Sequence, residues 1–172
     1  NICDDLNVSL VVGLGAYPAA VPHTRPTRLS CTASSPEMAK KLNFVTASVK
    51  VPAGLQAVIE NEVALTGIPS IGLWAQVPHY LSTGPYPPAA VELLEGIRGI
   101  SGIYSQDLQL DRKALNTRSH LDQLIGSNEE HLAMIEKLEI AYDQLNSADA
   151  SLPSGDDLAE ELQSFLRSQE ES

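Results

Sequence analysis

Ile71–Ala90 reads IGLWAQVPHYLSTGPYPPAA, and the order of its residue types decides the fold. Ile71, Leu73, Trp74 and Val77 form the short, almost unbroken apolar run of a strand covered on both faces, ending at Pro78. His79 and Tyr80 follow at once. A polar segment, Ser82-Thr83-Gly84, comes next, and Pro87-Pro88 suit the first turn of a helix. The order is strand, loop, helix. An earlier stretch, GLGAYPAAVPHTRP (Gly13–Pro26), repeats the tripeptide: Val21-Pro22-His23 echoes Val77-Pro78-His79. Two strands therefore each deliver VPH to a loop.

Working outward, Val8–Leu14 (VSLVVGL) predicts another strand covered on both faces. The loop Tyr17–Pro26 holds three prolines, so His23, Thr24 and Arg25 project from a restrained backbone. Leu29–Ala33 reads as a short strand. Ser35 is placed to cap a brief helix with Pro36 and Glu37 in its first turn. Val45–Val51 (VTASVKV) alternates strictly, as a half-buried strand does. From Gly54, the helical spacing of Leu55, Val58, Ile59 and Val63 predicts a helix closed by Gly67. Val91, Leu94 and Ile97 mark the helix after the second VPH loop, with Gly99 as its stop. Strands alternate with helices across connections long enough for crossovers. The expected fold is α/β, a mostly parallel sheet with flanking helices.

Beyond Gly102 the pattern is helical only, so residues 1–103 read as an α/β core and 104–172 as a C-terminal helical extension that packs on the core or on a partner chain. Asp111 is the expected cap of a helix carrying Leu115, Leu121, Leu124 and Ile125, ending at Gly126. Ser127 and Glu130 form a capping-box pattern before Leu132, Ile135, Leu138, Tyr142 and Leu145. Asn146–Gly155 has linker composition, and Ser154 precedes a last helix striped by Leu158, Leu162, Phe165 and Leu166.

Charge is unevenly placed in this 172-residue chain. Five acids balance five bases up to Ala90, whereas from Val91 seventeen acids face six bases and carry the whole net charge of −11. An acidic surface repels phosphate backbones, which excludes nucleic acid as the expected partner. No apolar run approaches the roughly 18 residues of a membrane span, so no membrane partner is expected. With only Cys3 and Cys31, reduced thiols in a cytoplasmic protein are the simplest reading. The opening at Asn1, close to an apolar strand, suggests that N-terminal strands precede it.

The loops offer limited chemistry. Neither Tyr17–Arg28 nor Val77–Ala90 contains a carboxylate or thiol, so His23 and His79 lack a third metal ligand, and no metal or cofactor is expected. No G-x-S-x-G turn is present. An anion pocket is the best chemical reading: His23, Thr24, Arg25, His79, Tyr80, Ser82 and Thr83 could gather beyond the carboxyl ends of two strands, near the start of the Pro87 helix. The structural reading is that stiff Pro-His corners hold one loop against the other, the imidazoles satisfying buried polar groups.

Four pieces carry a family resemblance: VPHTRP (Val21–Pro26), GLWAQVPHYLSTGPYPPAAVELLEGI (Gly72–Ile97), LEIAYD (Leu138–Asp143) and LPSGDDLAEELQSFL (Leu152–Leu166). With these the chain resembles the actinobacterial branch of the proteasome assembly chaperone superfamily, the second-chaperone type. The resemblance implies a fold similar to purine nucleoside phosphorylases, extended by C-terminal helices, and a tendency to form homo-oligomers. It also implies the C-terminal part of a longer chain and a possible proteasome-related partner. Eukaryotic and archaeal relatives are assembly factors without known catalysis, and the family supplies no catalytic residues. Some relatives end in a hydrophobic-Tyr-any-residue tail that docks on the proteasome, whereas this chain ends Gln169-Glu-Glu-Ser172. The leading expectation is a non-enzymatic scaffold or chaperone-like protein. The alternative is a phosphorylase- or hydrolase-like enzyme or sensor that binds a small anionic metabolite at the VPH loops.

Overall fold

The computed structural model of the chain describes residues 2–34, 54–104 and 107–151. The expected Ser35 helix, the Val45–Val51 strand and the helix after Ser154 lie outside the described residues. The elements are a one-turn helix α1 (Ile2–Asp5), β1 (Val11–Ala19), β2 (Leu29–Ala33), α2 (Leu55–Leu65), β3 (Ser70–Pro78), a 3-10 turn (His79–Leu81), α3 (Pro87–Ser101), α4 (Leu108–Ile125) and α5 (Glu129–Ser151).

The apolar run in the deciding stretch is the central strand. β3 lies between β1 and β2, with Ile71, Leu73 and Ala75 almost wholly buried. It pairs parallel with β1, from Val11 opposite Ser70 to Ala19 opposite Pro78. It pairs antiparallel with β2, Leu29 facing Ala75 and Ala33 facing Ile71. The described sheet is therefore mixed, and the expected parallel order holds for β1 and β3 but not for β2. β1 also begins later than expected and continues through Tyr17 and Pro18, where the prolines predict a loop. It is an edge strand among the described residues. Its residues alternate between exposed and half-buried instead of being covered on both faces. A proline is tolerated there because an edge strand has one side without ladder bonds.

The two faces of the sheet are built differently. On one, Cys31, Ile71 and Leu73 form a small core against Leu10, Val12, Leu93 and Ile100. Gly96 lets α3 approach this face, since a Cβ there would lie 2.8 Å from Leu29 Cδ1 and 2.9 Å from Leu73 Cδ1. On the other face, Gly13 and Gly72 leave room for Glu60 of α2; a Cβ on Gly72 would sit 2.7 Å from its Oε1. Gln56 Nε2 donates to Glu60 Oε1 at 2.8 Å, and Ser70 Oγ donates to the Glu60 carbonyl at 2.8 Å. Helix α2 therefore turns Gln56 and Glu60 toward the sheet and leaves Leu55, Val58 and Ile59 exposed. The helix was expected; of its four named apolar positions, Val63 alone shares the half-buried face with Gln56 and Glu60.

Several ends are also corrected. Helix α3 passes Gly99 and stops at Gly102, whose φ of 69° is the left-handed closure a glycine accepts without a Cβ clash. Asp107, not Asp111, caps α4, accepting from the N–H groups of Gln109 and Leu110. Asn128 caps α5 in place of Ser127, whose hydroxyl donates back to the Leu124 carbonyl. Helix α5 runs on to Ser151, through residues expected to be linker, because no Gly or Pro occurs before Pro153. Of the expected apolar stripes, Leu121, Ile135 and Tyr142 are buried, whereas Leu115, Leu124, Leu132 and Leu145 are exposed.

Candidate functional site

Because β1 and β3 are parallel neighbours in register to Ala19 and Pro78, both VPH loops leave the same end of the sheet. The two histidines then diverge. His23 is 2% exposed, whereas His79 is exposed at the start of the 3-10 turn. Between them stands Tyr80. Its ring meets each imidazole edge-on, with centroids 6.0 Å from His23 and 5.4 Å from His79.

The His23 contacts pair every polar atom of its ring and its backbone N–H. The His23 backbone N–H donates to Tyr80 Oη at 2.8 Å, and the same oxygen lies 2.8 Å from His23 Nδ1. With Nε2 protonated toward Asp122, Nδ1 of a neutral ring is an acceptor, so the Tyr80 hydroxyl accepts from the backbone and donates to Nδ1. Nε2 carries the ring proton and donates to Asp122 Oδ1 at 3.2 Å. This is the pattern of a neutral ring. Burial holds the His23 pKa below its usual value, although the hydrogen bond and charge of Asp122 pull the other way. Burial likewise pushes the Tyr80 hydroxyl up to about 12, so it remains a donor across the physiological range.

The rest of the first loop, His23–Arg28, acts as a strap to the C-terminal helices. Arg25 Nε and Nη2 form a fork on Asp143, at 2.9 and 2.8 Å, and its Nη1 donates to Glu139 at 3.1 Å. These bonds raise the Arg25 pKa and lower that of Asp143. Thr24 Oγ1 donates to the same Glu139 oxygen. Tyr142 Oη donates to the Pro26 carbonyl at 2.9 Å, and the Arg28 guanidinium covers the Tyr142 ring at 4.5 Å while bonding Asn146. From α4, Arg118 grips the backbone, donating to the carbonyls of His23 and Arg25 at 3.0 and 2.9 Å.

Of the residues singled out as an anion pocket, His23 and Tyr80 are in direct contact, and Thr24 and Arg25 are joined to acidic side chains of α5. Ser82 Oγ donates to the His79 carbonyl at 3.0 Å, and Ser82 and Thr83 are exposed. A mainly apolar cleft of about 330 Å³ lies nearby, between the end of β1 and the start of α3. Its walls include Ala16, Pro18, Val77, Tyr86 and Leu93, and Ser82 alone of the candidate residues borders it. Among the described residues, no group of three or more His, Cys, Asp or Glu could hold a metal ion. No helix among them is long and apolar enough to cross a membrane.

Asp122, Arg118, Glu139, Tyr142, Asp143 and Asn146 were not singled out beforehand as partners of the loop. The segment LEIAYD contains three of them, and Glu139, Tyr142, Asp143 and Asn146 recur at i, i+3, i+4 and i+7, which is one helix face. That spacing was a usable signal for a face, though not for what it touches.

Fold and site together define an α/β protein whose strand-end loop straps a pair of C-terminal helices to a small mixed sheet. The chain belongs to the PAC2 family, which it matches over residues 1–125. It is similar to a Mycobacterium tuberculosis protein of unknown function at 28% identity and a TM-score of 0.79, covering 87% of this chain and 51% of that one. A Streptomyces avermitilis PAC2 family protein is 30% identical with a TM-score of 0.70, covering 78% and 56%. A Mycobacterium tuberculosis proteasome-assembly chaperone homologue is also 30% identical, with a TM-score of 0.68 and coverage of 78% and 57%. The chain thus spans about half the length of these structures. No curated protein matches it.

Proposed function

We propose that the chain is part of a non-enzymatic, chaperone-like interaction protein that self-associates and has a proteasome-related partner. Family membership and the similarity to a proteasome-assembly chaperone homologue support this reading. One observation carries it: the cation best suited to hold an anion, Arg25, is clasped by Asp143 and Glu139 of the same chain. Donors that an active site would aim at a substrate are bonded here to the protein's own helices. On this reading residues 104–172 are a helical extension that packs on the core or on a partner chain, residues 1–103 belong to a phosphorylase-like core, and the protein is cytoplasmic.

An anion at His23, Thr24, Arg25, His79, Tyr80, Ser82 and Thr83 would have to displace two carboxylates from Arg25, and little is gained by exchanging one bidentate carboxylate for another. The test is affinity purification of the intact protein from its own cells, followed by mass spectrometry. Recovery of proteasome subunits is expected; a self-oligomer alone would count against the proposed partner. Thermal-shift screening with phosphate, sulfate and small carboxylates addresses the pocket directly. The reading expects no stabilisation, and a rise in Tm that Arg25→Ala abolishes would restore the metabolite-binding alternative.

A further inference from the structure

His23 is a buried titratable group at the start of the strap, and its surroundings on balance favour the neutral ring. Titratable or charged groups act on the ring from three elements: Tyr80 on the 3-10 turn, Asp122 and Arg118 on α4, and Glu139 on α5. A second ring proton must go on Nδ1, which already receives the Tyr80 proton across 2.8 Å. Two hydrogens would then point at each other. Tyr80 would have to turn its proton away while its oxygen still accepts from the His23 backbone.

Charge adds to the conflict. The Arg118 guanidinium lies 3.0 Å from the carbonyl of His23 itself and disfavours a second cation. Asp122 and Glu139 favour one, but the Asp122 side chain is 55% exposed, so water and salt screen its attraction. An imidazolium at a site 2% exposed must therefore be relieved by opening. Opening means parting the strap from Tyr80 on one side and from α4 on the other. The same strap holds α5 through Thr24, Arg25, Pro26 and Arg28.

We propose that His23 is a pH-sensitive latch: the neutral ring keeps the strap and α5 docked on the core, and its protonation undocks them. Because the folded-state pKa lies below the ordinary 6.5, the open state takes up the proton first as pH falls. The docking contributed by the neutral ring is therefore complete above about pH 6.5 and is lost progressively on acidification below it.

Amide hydrogen exchange of the intact protein, corrected for intrinsic rates, reads this directly at about pH 7.5 and about pH 5.5. Exchange in residues 21–28 and α5 should rise at the lower pH, by up to about 10-fold, while β1 and β3 hold. His23→Asn keeps an acceptor for the Tyr80 proton and cannot take a charge, so it should flatten that dependence. Histidine ring NMR on the unmodified protein gives a second measure that needs no variant. It should show the Nε2-protonated tautomer at neutral pH and a titration that coincides with loss of α5 protection. Protonation of His23 with α5 still protected would overturn the latch, as would release of α5 while the ring stays neutral.

Discussion

At the scale of single residues, the Tyr80 hydroxyl satisfies two buried groups of His23 at once. Tyr80→Phe keeps the ring packing and removes only that oxygen, leaving the His23 N–H and Nδ1 without their partner. Leaving a buried polar group unpaired costs about 1–3 kcal/mol. Urea denaturation at neutral pH should show a loss of that size, with an unchanged m-value. A variant as stable as the parent would mean that water or the loop replaces the hydroxyl. Little of this was legible beforehand. The repeated VPH marked where the loops leave the sheet, but Asp122 lies 99 residues from His23 and no local spacing links them. Pairing across such a distance is set by how helices dock, and a loop read by itself shows only its own donors. Arg25 therefore looked available for an anion, whereas its partners stand on a helix face more than a hundred residues away.

At the scale of elements, strands and helices were legible where burial imposes a period, and their edges and faces were less so. The run Ile71–Val77 announced a central strand because both of its faces are covered. Helix α2 was located by Leu55, Val58, Ile59 and Val63, yet the side it turns to the sheet is set by Gly13 and Gly72, which leave space for Glu60. A hydrophobic period cannot report that. Two glycines of α3 separate propensity from packing. A Cβ on Gly96 would press on Leu29 and on Leu73, which is 0% exposed and has no room to yield. Gly96→Ala should therefore destabilise by about 1–3 kcal/mol despite alanine's better helix propensity. Gly99 has nothing within 4 Å of a built Cβ, so Gly99→Ala should stabilise by about 0.5–1 kcal/mol. Chemical denaturation of the pair checks the opposite signs; two shifts of the same sign would show that α3 does not pack as described.

At the scale of the whole molecule, charge and cohesion are divided in a related way. The half of the chain after Val91 carries the entire negative balance, and the strap places Arg25 and Arg28, two of the five bases before it, against α5. The sheet coheres through Cys31, Ile71 and Leu73, whereas the strap joins α5 mainly through polar bonds. Such a molecule should open by parts before it unfolds, since low-stability regions are those with few buried apolar contacts. Arg118 and Arg25 test this differently. Arg118→Ala removes two bonds to part-buried backbone carbonyls, a loss of about 2 kcal/mol or more for a charged donor. Arg25→Ala removes bonds to Asp143 and Glu139, which face solvent more and are screened by salt. Hydrogen exchange at residues 21–28 and in α5 should therefore rise more for Arg118→Ala than for Arg25→Ala. High salt should mimic only the second. Exchange in β3 should change in neither variant, because its protection comes from the sheet and the small core. Equal acceleration in β3 and α5 would show one cooperative unit, and the strap would then be a feature of the core and not a joint to it.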